Sequence, residues 1–379
     1  MAADGTAPIR QITKDEAYNA VAPDDFAAML ELDRHETRSD AFDKIISATH
    51  DHFWDPLDTK YIDFDDGFDV RKTRIMPEDF WISGGTETVR SHLKTEEERI
   101  YFANEQTRWS LSSILHGEQG ALNLSASLCH VLRDPGAQEY AANQCREEAR
   151  HVTGFAKYIR ARWGAPMECG DTLKNLLIEI VHAPEVYKKI VGMQMLIEGL
   201  AMGAFAGIFQ QTEDPTLRKL MQLVMTDEAF HHKFGKIWAD RTIPKLSQDE
   251  HDIVEDWAAH CFQTLLFNLA GPHQQRPLYD RFGINPDEVA EELKTIITDD
   301  KRREQMQEQA NIFRVLVKTL WNAGIITDRT AGVYSTFVNL SELADEGDRM
   351  VGDDIAEEGL EFLRDINQMG RGSAALAAE

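Results

Sequence analysis

Apolar residues recur along this chain every three or four positions, the period of a helix face. No segment shows the alternation of β-branched residues with Asn-Gly turns that marks strands. The first long helix is predicted to open at Thr95, with Glu98 three residues on as a capping box. It runs through Trp109, Ile114, Glu118 and Leu122 to about Leu132, where Arg133-Asp134-Pro135-Gly136 breaks it. A second spans about Ala137 to Trp163 and stops at Gly164, and a shorter helix covers Asp171 to His182. Pro184 opens a third long helix, which carries Met195, Glu198, Met202 and Phe205 and ends near Gln211. After the turn Thr212-Glu213-Asp214-Pro215, a fourth runs to about Arg241.

Upstream, Phe42 to Asp63 holds a short helix and the aromatic segment His52-Phe53-Trp54-Asp55-Pro56, and Pro77 to Trp81 reads as a turn. Ser247 to Leu269, Pro286 to Thr298, Asp300 to Ala323 and Asp353 to Ile366 read as peripheral helices. No Gly-, Ser- or Pro-rich linker divides the chain. The expected fold is therefore all-α: a flexible N-terminus over 1–20, one helical domain over 21–369, and a flexible tail over 370–379. Within that domain a four-helix bundle occupies about 95–241.

Two Glu-x-x-His pairs lie in the bundle, Glu148-Ala-Arg-His151 and Glu228-Ala-Phe-His231. Residues i and i+3 share a helix face, so each pair can offer a carboxylate and an imidazole to one point. One such pair alone is a weak signal, because Glu is abundant on solvated helices. Each pair, however, is preceded by a lone Glu in an otherwise apolar helix, Glu118 and Glu198, and each separation is thirty residues. The two midpoints, Arg133 and Glu213, both fall in the helix breaks. In an antiparallel hairpin, residues equidistant from the turn lie level, here roughly 22 Å from it at ~1.5 Å per residue. Two such hairpins packed together bring four Glu and two His to one height.

The neighbours of these residues are mostly apolar: Ile114, Leu115, Ala121 and Leu122 around Glu118, Gln194, Met195, Ala201 and Met202 around Glu198, Phe155 below His151, and Val224 and Met225 by Glu228. Carboxylates buried at that density cost several kcal/mol each unless cations sit among them. Two divalent metals remove the conflict. Solvent-facing Glu residues with coincidental spacing are the bland alternative.

Composition narrows the partners. A formal net charge of −25 argues against sequence-independent nucleic-acid binding, which needs basic patches, and against anionic lipid. The four cysteines form no Cys-x-x-Cys pair, so neither a zinc knuckle nor a secreted disulfide framework is indicated. Met1 to Asp15 has no signal pattern, and no run reads as apolar enough to span a bilayer. The expectation is a cytoplasmic protein.

Helix Glu, Glu-x-x-His, helix Glu, Glu-x-x-His resembles the ferritin-like di-iron carboxylate proteins over about Thr95 to Arg241. These include ribonucleotide reductase small subunits, multicomponent monooxygenases, acyl-carrier-protein desaturases, arylamine N-oxygenases and rubrerythrins. The resemblance implies two Fe ions, or a Mn/Fe pair, with Glu148 and Glu228 bridging and Glu118 and Glu198 mainly terminal. His151 and His231 would complete one metal each. Asp227 and Glu147 resemble the acids that orient the histidine of the opposite pair, with a surface acid the alternative for Glu147. Phe53-Trp54-Asp55-Pro56 looks like the reductase segment whose Trp relays electrons toward such an Asp, with a core packing tryptophan the bland and commoner alternative for Trp54.

No single subfamily fits closely. Phe155 stands where the radical-storing Tyr of reductase subunits would be, and the tail lacks their aromatic relay residue. Ala201 and Met202 replace the threonine of monooxygenases and desaturases, and Val224 replaces the extra His of N-oxygenases. The small residues Gly199, Ala201, Gly203, Ala204, Ala206 and Gly207 either let helices pack closely or leave a pocket. Phe155, Met195, Met202, Phe205 and Val224 would wall such a pocket for a hydrophobic substrate.

The expected function is an O2-activating oxygenase, hydroxylase or desaturase of an apolar or aromatic substrate, with O2 as co-substrate. No flavin or nicotinamide fingerprint is present, so electrons would come from a separate ferredoxin or reductase; a homodimer is implied by the resemblance. A radical-generating small subunit and a non-catalytic metal-holding bundle are the alternatives.

Overall fold

Thr95 accepts the Glu98 amide and Glu98 reaches back to the Thr95 amide, so the expected capping box opens a 36-residue helix. The computed structural model describes residues 16–23, 25–78, 80–268, 271–297, 312–335, 337–343 and 352–376. Among them there is no strand, only an isolated bridge between Ala20 and Leu132.

Short helices α1 (Asp33–Glu36), α2 (Asp43–Ala48) and α3 (Glu87–His92) precede α4 (Glu96–Val131). Asp134 caps α5 (Pro135–Trp163) with Pro at its first turn, and Gly164, at φ 86°, ends it, a conformation only Gly adopts freely. After α6 (Asp171–His182), the third long helix begins two residues later than expected, as α7 (Val186–Lys189). It passes through a π-helical stretch, Ile190–Ile197, into α8 (Glu198–Gln211). Asp214 then accepts the Thr216 and Leu217 amides and caps α9 (Pro215–Thr242).

Helix α4 packs along α5, α8 along α9, and α5 against α9, while the π stretch touches α4 and α9. The two hairpins thus face each other. Around them lie α10 (Gln248–Asn268), α11 (Arg276–Arg281), α12 (Pro286–Ile296), α13 (Ile312–Asn322), α14 (Ala331–Ser335), α15 (Leu340–Leu343) and α16 (Asp353–Leu376). Helix α13 packs on α8, and α16 on α9. The last helix runs beyond the Ile366 end expected for it. Residues 300–311 of the expected Asp300–Ala323 helix, Thr298, Met1–Asp15 and the last three tail residues lie outside the described residues.

The reading that no run could span a bilayer is corrected: Val186–Gln211 is long and apolar enough by length and composition. In the fold, 78% of its most apolar window is buried among the other helices, and it carries Glu198.

Candidate metal centre

Each of the four long helices brings one part of the cluster. Glu118 comes from α4, Glu148 and His151 from α5, Glu198 from the start of α8, and Glu228 and His231 from α9. Ligand atoms of Glu118, Glu148, His151 and Glu228 lie within 4.8 Å of one another, and so do those of Glu148, Glu198, Glu228 and His231. The two groups share Glu148 and Glu228. All six side chains are buried.

Both imidazoles turn Nδ1 inward. His151 Nδ1 lies 3.2 Å from Glu118 Oε2 and Glu148 Oε2 and 3.1 Å from Glu228 Oε1. His231 Nδ1 lies 3.0 Å from Glu148 Oε1 and from Glu228 Oε2. Each outward Nε2 donates to an acid from the opposite pair: His151 to Asp227 Oδ2 at 2.8 Å, His231 to Glu147 Oε2 at 3.0 Å. Such a bond fixes both the tautomer and the ring. Glu147 is wholly buried, so the surface-acid alternative does not hold.

Trp54 is also wholly buried and donates from Nε1 to Asp227 Oδ2 at 2.9 Å. Its ring stacks on His151 with centroids 6.1 Å apart.

The electrostatics follow from burial. Burial, with Glu228 and Glu148 adding repulsion, pushes Glu118 and Glu198 well above the usual carboxylate range. Burial opposes ionisation of Glu148 and Glu228 too, but the neighbouring imidazoles outweigh it and hold both low. The two histidines are raised well above their ordinary value, because the surrounding carboxylates overcome burial. Four ionised carboxylates and two neutral imidazoles would carry four negative charges in this buried space. Two divalent cations would cancel that charge. Glu228 Oε1, although 3.1 Å from His151 Nδ1, makes no well-aligned hydrogen bond among the described residues. Oxygen and imidazole donors suit iron or manganese, so the residues fit a metal pair.

Comparison of the chain with protein-family models, curated proteins and solved structures gives no match. The case for the site therefore rests on its own geometry.

Sequence reasoning missed several residues around the cluster. His52, from the loop after α2, donates from Nε2 to Glu147 Oε1 at 2.9 Å and is fully buried. Arg150 clasps both oxygens of Asp227 through Nε (2.8 Å) and Nη2. Gln144 donates to Glu148 Oε1 at 3.0 Å and Glu198 Oε1 at 3.2 Å. Gln144 and Arg150 sit four residues before Glu148 and one before His151, so helical spacing could have flagged them. His52 carried no such signal, being 95 positions from Glu147. Gln194, which the sequence does place beside Glu198, is fully buried, and neither its amide nitrogen nor its oxygen has a partner among the described residues.

The predicted apolar wall divides. Phe155, Met202, Phe205 and Val224 share one buried cluster, where the Phe155 and Phe205 rings stack at 5.9 Å. Met195 belongs to the other large cluster. It lies in the π-helical stretch, whose bonds skip one residue more than those of an α-helix. The phase that would have put residues 195 and 202 on one face is lost there. Of the small residues of α8, Gly199 serves close packing, since a Cβ there would lie 3.2 Å from Leu316 Cδ2, whereas Gly207 faces open space. A cavity of about 480 Å3 lies elsewhere, at the α8–α9 turn, lined by Phe209, Arg218, Lys219 and Gln222 among others.

Proposed function

We propose that this chain is an O2-activating di-metal oxidoreductase of the ferritin-like carboxylate type, acting on an apolar or aromatic substrate. The observation that carries the reading is the pair of overlapping ligand groups that share Glu148 and Glu228. When bound, a pair of iron ions, or manganese with iron, supplies dioxygen binding and reductive activation.

The chain's own residues then have distinct tasks. Glu148 and Glu228, common to both groups, would be shared by the two ions, while Glu118 with His151 and Glu198 with His231 would each hold one. Gln144 holds the Glu148 and Glu198 carboxylates from one side through its amide nitrogen. Phe155, Met202, Phe205 and Val224 share one buried apolar cluster, which would suit an apolar reactant. Trp54, Asp227 and His151 make a continuous hydrogen-bonded line from the loop after α2 to the cluster. Electrons from a separate ferredoxin or reductase would enter along it. That same line favours a second reading, a radical-generating small subunit working with a catalytic partner chain, although Phe155 cannot store a tyrosyl radical.

The test is metal analysis of the purified chain, then oxygen uptake by the reduced, iron-loaded protein with apolar substrates. Glu148→Ala and His231→Ala are expected to abolish metal loading and oxygen consumption together. Two metals retained in either variant would show the ligand set to be wrong. Two irons that never react with dioxygen would favour a bundle that only holds metal.

A further inference from the structure

Behind the two inward-facing imidazoles lie two arms of different construction, and both begin in one three-residue segment. In the first, Trp54 Nε1 donates to Asp227, which accepts from His151. In the second, His52 Nε2 donates to Glu147, which accepts from His231. His52 and Trp54 lie on either side of Phe53, so one loop fastens the outer acid of each Glu-x-x-His pair.

The two acids are not equally secured. Asp227 accepts from Trp54 and from both Nε and Nη2 of Arg150, besides His151. It would keep a two-point clasp if Trp54 were removed. Glu147 uses Oε2 for His231 and Oε1 for His52. The next cation, Arg150 Nη2, is 3.7 Å from Oε1, beyond hydrogen-bond length. Among the described residues, His52 is thus the one hydrogen bond that keeps the Glu147 carboxylate from rotating away from His231. The His52 ring is in turn held against Phe230, with centroids 4.8 Å apart.

We propose that His52 is the positioning residue for the metal on the Glu198–His231 side, and that this side depends on the loop far more than the Glu118–His151 side does. The inference rests on the di-metal reading above. His52 touches no ligand atom of the cluster itself. It acts through Glu147, which aims His231 Nδ1 at the metal and raises its basicity. Loss of partners of this kind weakens metal binding by about 10- to 100-fold.

Cobalt(II) titration of the full chain tests this, with proton NMR of the hyperfine-shifted imidazole N–H signals of the two coordinated histidines as a second readout. His52→Leu is expected to weaken one of the two cobalt equivalents about 10- to 100-fold. It should also speed solvent exchange at one of the two N–H signals and leave the other slow. His52→Gln, whose amide nitrogen can reach the Nε2 position, should restore both. Trp54→Phe should leave both equivalents tight, because Arg150 still holds Asp227. The proposal is overturned if His52→Leu binds two cobalt ions as tightly as wild type with both N–H signals intact. It is equally overturned if Trp54→Phe weakens binding as much as His52→Leu, or if His52→Gln, folded by circular dichroism, restores nothing. A wild-type chain that takes up no cobalt would instead overturn the metal reading on which the proposal stands.

Discussion

Arg150 shows how much the surroundings of the cluster depend on single side chains. It is nine-tenths buried, bonds both oxygens of Asp227, and stands over the Trp54 ring at 5.4 Å. Burial alone would lower its pKa, but Asp227 and Glu147 hold it above the ordinary arginine value. Replacing it with Met would leave the buried Asp227 carboxylate without its guanidinium, a change that typically costs about 3–5 kcal/mol. Urea denaturation of metal-free Arg150→Met against wild type should show a loss of that size. A difference below about 1 kcal/mol, the level of an exposed ion pair, would mean that the charges are solvated after all. At this scale the sequence showed the repeated residues and hid the single ones. Glu118, Glu148, His151, Glu198, Glu228 and His231 announced themselves by matching intervals. His52 lies in a loop, where no period relates it to the helices, and only folding brings it to Glu147.

Among the elements, the helix ends were written locally and the π-helical stretch was not. Thr95 with Glu98, Pro135, Gly164 and Asp214 with Pro215 each supply a cap or stop within a few residues, so the hairpins could be read directly. Ile190–Ile197 is buried at every position and apolar or uncharged throughout. Without a polar face there is no period from which to tell a π turn from an α turn, and Met195 falls in a different apolar cluster from Met202. The stretch is held against α9 by a close approach at Gly235, where a Cβ would lie 3.1 Å from Gln194 Cβ and 3.2 Å from Gln194 O. That neighbour is backbone and cannot swing away. Gly235→Ala should therefore destabilise by about 1–3 kcal/mol, despite the better helix propensity of Ala. Gly207→Ala, with open space around its Cβ, should instead stabilise by up to about 1 kcal/mol. Thermal melts of the two variants check the contrast, and equal shifts would contradict the packing described.

Across the whole molecule, two large apolar clusters flank the candidate metal centre, one reaching to α10 and α13 and the other to the loop before α3 and to α16. Charged ties join that loop to the hairpins. Arg162, near the end of α5, bonds Asp66 at 2.7 Å and 2.6 Å and also Asp214, the cap of α9. Partial burial disfavours ionised Asp66, but the Arg162 and Thr216 bonds win and hold its carboxyl down at about 2. A carboxylate whose folded pKa is depressed contributes stability that is present above its unfolded pKa of about 3.9 and lost as pH falls toward 2. Asp66→Asn should accordingly flatten the stability–pH curve between about pH 4 and pH 2. A variant that loses stability over that window as steeply as wild type would contradict the tie. The all-helical character was legible because the long segments, the Ile190–Ile197 stretch apart, repeat at helical period. The placement of the outer helices was not, since packing between distant segments leaves no mark in local pattern.

The central claim, that six side chains from four helices hold two metals between shared glutamates, is tested most directly by anomalous diffraction from crystals loaded with manganese(II). Two peaks are predicted, about 3.5–4 Å apart, both between Glu148 and Glu228, one beside Glu118 and His151 and the other beside Glu198 and His231. A single peak, no peak, or density centred on His52, Glu147 and Asp227 instead would contradict it.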